Sequence, residues 1–119
     1  MMKTYLFILR KPAHSGAYVQ EVLDIILTTA AFDQKVSLLL LDDGVFHLKN
    51  KQQPESLGMK DTASIFKVLT LYDVNDIYVE EESMHERGLL ISDLVLSVNA
   101  IRRKQFAGLL KRFDVVLFT

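Results

Sequence analysis

A chain of 119 residues without a single cysteine is excluded from disulfide stapling, thiolate metal sites and any thiol or persulfide chemistry of its own. Its formal net charge of −1 supplies no global field to hold a polyanion, so direct nucleic-acid binding is not expected. At this length one domain, residues 1–119, buries roughly 65% of the surface that its unfolded form exposes; with 50% of residues apolar, part of that content is available for burial by another chain.

Residues 3–9 read as a first strand, closed by Arg10-Lys11-Pro12 because proline cannot donate to a continuing central ladder. The apolar run at this start is too short for a signal peptide or a membrane span, so a cytoplasmic protein with no membrane association is expected. Ala13-His14-Ser15-Gly16 reads as a loop, with Ser15 as the helix cap. From Ala17 the residues Val19, Val22, Leu23, Ile26 and Ala30 recur at three and four, which predicts an amphipathic helix to about Phe32.

Leu38-Leu39-Leu40-Leu41 is apolar on both alternating faces, the pattern of a strand, residues 36–41, covered on both sides. Asp42-Asp43-Gly44 marks its carboxyl end, the edge where ligands and partners gather in open α/β sheets. The polar stretch 49–56 reads as a surface loop. Asp61 is placed to cap a second helix in which Ile65, Val68, Leu69 and Tyr72 share a face. Ile77-Tyr78-Val79 is a short third strand, followed by Glu80-Glu81-Glu82. Ser83-Met84-His85-Glu86 has the spacing of a capping box, with Gly88 placed to end a single short helix. Residues 94–97 read as a fourth strand, residues 99–111 as a third full helix burying Ile101, Phe106, Leu109 and Leu110, and residues 114–118 as a last strand. Strands alternating with helices predict an α/β fold with a mainly parallel five-stranded sheet in three layers, α/β/α.

Four clusters invite a chemical reading. The turn at residues 12–16 has the helix amino end that attracts phosphate, but only Gly16 where a nucleotide fingerprint needs several glycines. Asp42 and Asp43 with His14 and His47 are a hard-metal or mixed ligand set without a supporting His spacing. A phosphoacceptor site would need a further aspartate after the third strand, which ends in Val79-Glu80. Glu80-Glu81-Glu82 reads as a solvated acidic loop, since acid/base work needs a pocket that separates two pKa values. Arg102, Arg103, Lys104, Lys111 and Arg112, with no acid among residues 100–113, suit RNA phosphates or an acidic partner, or simply a solvated helix face.

Taken in order and spacing, Asp43-Gly44-Val45-Phe46, Phe66-Lys67-Val68-Leu69-Thr70-Leu71-Tyr72-Asp73 and Ser83-Met84-His85-Glu86-Arg87-Gly88-Leu89 resemble the DsrE/DsrF-like family, and within it the TusC-type branch, over essentially the whole chain. The resemblance implies a flavodoxin-like sheet and a cytoplasmic hetero-oligomer with TusB- and TusD-type subunits, a heterohexamer built as a dimer of heterotrimers. That assembly takes sulfur from a cysteine desulfurase by way of TusA and passes it to TusE, toward 2-thiolation of the wobble uridine of certain tRNAs. In the family the persulfide-bearing cysteine belongs to the TusD-type subunit and follows the third strand; the corresponding stretch here is Val79-Glu80-Glu81-Glu82-Ser83. No catalytic residue, cofactor or metal carries over, and three glutamates would oppose an anionic sulfur.

The expectation is a non-catalytic structural subunit whose candidate interface comprises Val45, Phe46, Glu80, Glu81, Glu82, Arg102, Arg103 and Lys104. Without its partners such a chain is prone to form a homo-oligomer through the same apolar faces. Two alternatives stay open: a DsrF-type subunit of a dissimilatory sulfur-oxidation complex, and a small flavodoxin-like ligand- or metal-binding enzyme domain working through His14, Ser15, Asp42 and Asp43.

Overall fold

The structure is a computed structural model that describes residues 3–11, 18–32, 34–49, 68–94 and 97–119. Five strands, β1 (Thr4–Leu9), β2 (Lys35–Leu40), β3 (Asp76–Glu80), β4 (Asn99–Ile101) and β5 (Val115–Phe118), form one sheet in the order β4-β3-β2-β1-β5. Every neighbouring pair is parallel, with Phe7 opposite Leu38, Leu38 opposite Ile77 and Phe7 opposite Leu117 fixing the central register. The chain steps outward from β1 to β4 and then returns to the far side of β1, which puts the switch point of the sheet between β1 and β5.

Alternation along the strands explains the layers. Phe7, Leu9, Leu38, Leu40, Ile77 and Val79 face one side, where Val22, Leu23 and Ile26 of helix α1 (Tyr18–Ala31) cover them. Leu6, Ile8, Leu39 and Leu41 face the other, under Leu109 of the short helix α3 (Phe106–Leu110) and partly buried Tyr78, Ile101 and Val116. The result is the expected flavodoxin-like α/β/α arrangement. Because β1 and β2 are buried on both faces, their sequences are nearly continuous apolar runs. Each buried leucine contributes about 1.5–3 kcal/mol, more than the propensity of any surface turn, so these strands are the most legible part of the sequence.

Helix α2 (Glu81–Glu86) leaves β3 without a break. It ends in Gly88 at φ 67°, with Leu89 N–H donating to Met84 O at 2.9 Å and Gly88 N–H to His85 O at 3.1 Å. These are the paired bonds of a left-handed glycine cap. The expected capping box at Ser83 does not form, because Ser83 lies inside this helix rather than before it.

Two further expectations are corrected. The run 99–111 is not one helix: Asn99, Ala100 and Ile101 pair with Tyr78, Val79 and Glu80 as the edge strand β4, and only a 3-10 turn (Arg103–Gln105) and the five residues of α3 follow. The open edge of β3 needs hydrogen-bond partners, and this pairing overrides the weak β preference of Asn and Ala. Of the strand expected at 94–97, Leu94 makes an isolated antiparallel bridge to Lys49, and residues 95 and 96 lie outside the described residues. So do most of the loop 49–56 and the first part of the helix expected from Asp61; Val68–Tyr72 is a 3-10 segment.

After β2 a further 3-10 segment, Asp42–Leu48, turns the chain across the sheet end. Here Gly44 is required by close approach, since a Cβ at this position would lie 1.9 Å from the carbonyl oxygen of Leu9.

Candidate functional site

Parallel strands bring all their carboxyl ends to one edge. Arg10 follows β1, Asp42 follows β2, Glu80 ends β3, Arg103 follows β4 and Phe118 ends β5; with Leu41 and Phe106 they line a cavity of about 250 Å³.

Glu80 is the centre of this edge. Its side chain is only 7% exposed, and its Oε1 receives Arg103 Nη2 at 2.9 Å, Arg103 Nε at 3.2 Å and the Ser83 hydroxyl at 2.5 Å. Ser83 Oγ in turn accepts the backbone N–H of Asp42 at 2.8 Å, so one hydroxyl ties the end of β2 to the end of β3. Asp42 stands at φ 51°, a left-handed conformation that aspartate tolerates better than most residues.

Arg103 does more than neutralise Glu80. Its Nη2 also reaches Glu86 Oε1 at 3.1 Å, and its backbone N–H donates to both carboxylate oxygens of Glu82 at 2.9 and 3.1 Å. The hydrogen bonds that Arg103 donates to Glu80 and then to Glu86 push the guanidinium above its ordinary pKa. The Arg103 N–H, reinforced by the charges of Arg103 and Arg102, holds the Glu82 carboxyl below the usual carboxylate range against a smaller opposing effect of desolvation. Around this centre Arg102 Nε lies 3.4 Å from Glu81 Oε2, Arg87 Nε 2.9 Å from Asp43 Oδ1, and Arg10 Nε 3.3 Å from Asp42 Oδ2.

Chemically, this network acts as a lock between strand ends. A buried carboxylate is stable only when paired and hydrogen-bonded, and Glu80 has both. The Ser83 hydroxyl that donates to Glu80 is fully buried and engaged on both sides. Asp42 and Asp43 turn to different arginines, and among the described residues no three His, Asp or Glu side chains converge as a metal site would require. His47 is buried, while His14 and Ser15 lie outside the described residues.

The acidic and basic stretches expected as separate docking patches are therefore partners within the chain: Glu80 and Glu82 with Arg103, and Glu81 with Arg102. Lys104 is exposed. Val45 is fully buried in the first core cluster, and Phe46 is half-buried against the same cluster. The 3-10 turn that Gly44 permits rotates Val45 inward, so Val45 as a surface contact is corrected. Sequence reasoning did not find Arg10, Ser83 or Glu86 as members of the lock. The signal available was the meeting of opposite charges after β3 and β4, which is visible only once the two strands are known to be neighbours.

Beside the lock, α2 and the turn after it form an open groove of about 550 Å³ with Met84 and Leu89 at its base and Leu90 and Ile91 exposed along it. The described helices include none long and apolar enough to cross a membrane.

The DsrE/DsrF-like family model matches residues 3–118. A "Protein TusC homolog" of Pseudomonas aeruginosa is 38% identical over 117 residues, covering 98% of this chain and 98% of that one. The "Intracellular sulfur oxidation protein DsrF" of Allochromatium vinosum is 39% identical over 95 residues, 80% of this chain and 70% of its own length. The crystal structure of the ychN protein from E. coli superposes over 100% of both chains with a TM-score of 0.79 at 16% identity, a likeness of fold.

Proposed function

Because the chain belongs to the DsrE/DsrF-like family, we propose that it works as a non-catalytic structural subunit of a TusBCD-type sulfur-relay complex in the cytoplasm. It supports a thiol-bearing sister subunit, and TusA and TusE are indirect partners. The relay delivers persulfide sulfur toward 2-thiolation of the wobble uridine of tRNA. The similarity to proteins called TusC homologs along nearly the full length of both chains supports this reading.

One observation carries the non-catalytic part. At the carboxyl end of β3, where the family resemblance places the persulfide thiol of the TusD-type subunit, this chain has the buried Glu80 clamped by Arg103 and Ser83. A persulfide relay needs an accessible thiolate stabilised by positive charge. Here the available positive charge is consumed by carboxylates, and the chain has no cysteine. What this edge contributes is a rigid surface for a neighbour.

Deleting the gene from its host and measuring 2-thiouridine in bulk tRNA tests the pathway. Loss of the thiolated nucleoside, restored by this chain on a plasmid, is expected; unchanged thiolation would remove the tRNA reading. The 39% identity to a DsrF protein favours a second reading, a DsrF-type subunit of a dissimilatory sulfur-oxidation complex. In that case deletion leaves tRNA thiolation intact and impairs growth on reduced sulfur compounds.

A further inference from the structure

Beyond its membership of an assembly, the chain carries one groove with the chemistry of a recognition site. Met84 and Leu89 form an apolar base that is almost completely buried, whereas Leu90 and Ile91, 66% and 49% exposed, stand as unfilled walls. Exposed aliphatic side chains beside an apolar depression mark a place that another molecule covers. The charge around it is one-sided. Three carboxylates, Glu81, Glu82 and Glu86, and one guanidinium, Arg102, line it, while Arg103 behind them is shared among Glu80, Glu82 and Glu86. The nearby Arg87 is engaged more closely by Asp43, at 2.9 Å, than by Glu86, at 3.7 Å. Glu81 and Glu86, both about half-exposed, bring this excess negative charge to the rim.

We infer that this groove docks a segment of a partner protein that presents an aliphatic side chain flanked by lysine or arginine. The aliphatic group fills the space between Leu90 and Ile91, and the flanking cations meet the rim carboxylates. Apolar contact supplies the affinity, and complementary charge supplies selection and orientation.

Two short peptides of identical leucine content test it, one with lysine on both sides of a Leu-Leu pair and one with glutamate there. Each is titrated into the isotopically labelled full chain and followed by its amide NMR signals. The lysine peptide is expected to shift the signals of Met84, His85 and residues 89–91 and to weaken as salt rises, while the glutamate peptide leaves them in place. Glu81→Lys is expected to weaken the lysine peptide about three- to tenfold, and Ile91→Asp to abolish the shifts. Equal binding of both peptides, or shifts only at other sites, would overturn the assignment. Concentration-dependent broadening of the groove signals before any peptide is added would also overturn it, by making a second copy the occupant. Docking in this groove rests on the subunit reading, but peptide binding is measured on the isolated chain. A flat titration with normal co-purification removes the groove alone, and failed co-purification with normal peptide binding removes the subunit reading alone.

Discussion

Arg103 grips Glu80 through both Nε and Nη2, at 3.2 and 2.9 Å, so the first turn after β4 closes the carboxyl end of β3. The pair is asymmetric: Glu80 is buried and Arg103 about half-exposed, with side-chain exposures of 7% and 52%. Removing the cation strands a buried carboxylate, whereas neutralising the acid leaves an arginine that water can solvate. Arg103→Met is therefore expected to lower the thermal midpoint more than Glu80→Gln, and the double substitution to cost less than the two single losses added. Scanning calorimetry on the three variants checks this, and additive losses would show that the two side chains act independently.

The three glycines among the described residues are expected to respond to alanine in three different ways. Gly44→Ala drives a Cβ to within 1.9 Å of Leu9 O and is expected to cost about 3 kcal/mol or more. Gly88→Ala meets no atom but must hold φ 67°, at a cost of about 1–2 kcal/mol. Gly108→Ala, in α3 with open space around it, is expected to stabilise by about 0.5–1 kcal/mol. Urea unfolding of the three variants reads the order, and a tolerant Gly44 would contradict the close packing of the 3-10 turn on β1.

Acid sensitivity is expected from two carboxylates. Asp114 accepts the Thr4 N–H at 2.9 Å and the Thr4 hydroxyl at 3.1 Å, clamping the start of β5 to the start of β1, and these bonds hold its pKa below the ordinary value. Glu82 is lowered by the Arg103 N–H. A depressed carboxyl contributes stability that is fully present above its unfolded pKa, about 3.9 for Asp and 4.3 for Glu, and lost as pH falls through the folded value. Stability is thus expected to be level from neutral pH down to about 5 and to decline below that. Asp114→Asn with Glu82→Gln should flatten the decline, and an unchanged acid limb would exclude both groups as its source.

Phe32 and Leu71 are 72% and 80% exposed, which leaves both side chains available for a partner to cover. If the chain works as a subunit, Phe32→Asp and Leu71→Asp should keep the monomer's thermal midpoint within a few degrees and reduce recovery of partners on affinity purification. Full recovery with both variants would remove Phe32, just after the end of α1, and Leu71 of the 3-10 segment from the interface.

The strands were legible where burial on both faces demands uninterrupted apolar sequence: Leu6 to Leu9 and Leu38 to Leu41 can be little else. The helix α1 was legible by its three-and-four spacing, of which Val22, Leu23 and Ile26 are seen in the core. Legibility failed where a short element is held by its neighbours rather than by its own pattern. Asn99 and Ala100 form a strand because β3 offers an open ladder, and Ile101 fits either a helix face or a strand face until that pairing is known. The site failed for a related reason. Glu80 and Arg103 are separated by 23 residues, and local sequence shows two solvated charge runs where the fold pairs a buried acid with a half-exposed arginine. Ser83 carried a local signal, the Ser-x-x-Glu spacing, that the continuous run of β3 into α2 overrode.

In the proposed role this chain supports sulfur chemistry carried by a sister subunit. The most direct test is to purify the tagged chain from its own host after feeding cysteine labelled with radioactive sulfur, then to take the native mass and locate the label. Two similar-sized partners in a dimer of heterotrimers, with thiol-releasable label on one of them and none on this chain, is the predicted result. A partner-free monomer, or label bound to this chain itself, would contradict it.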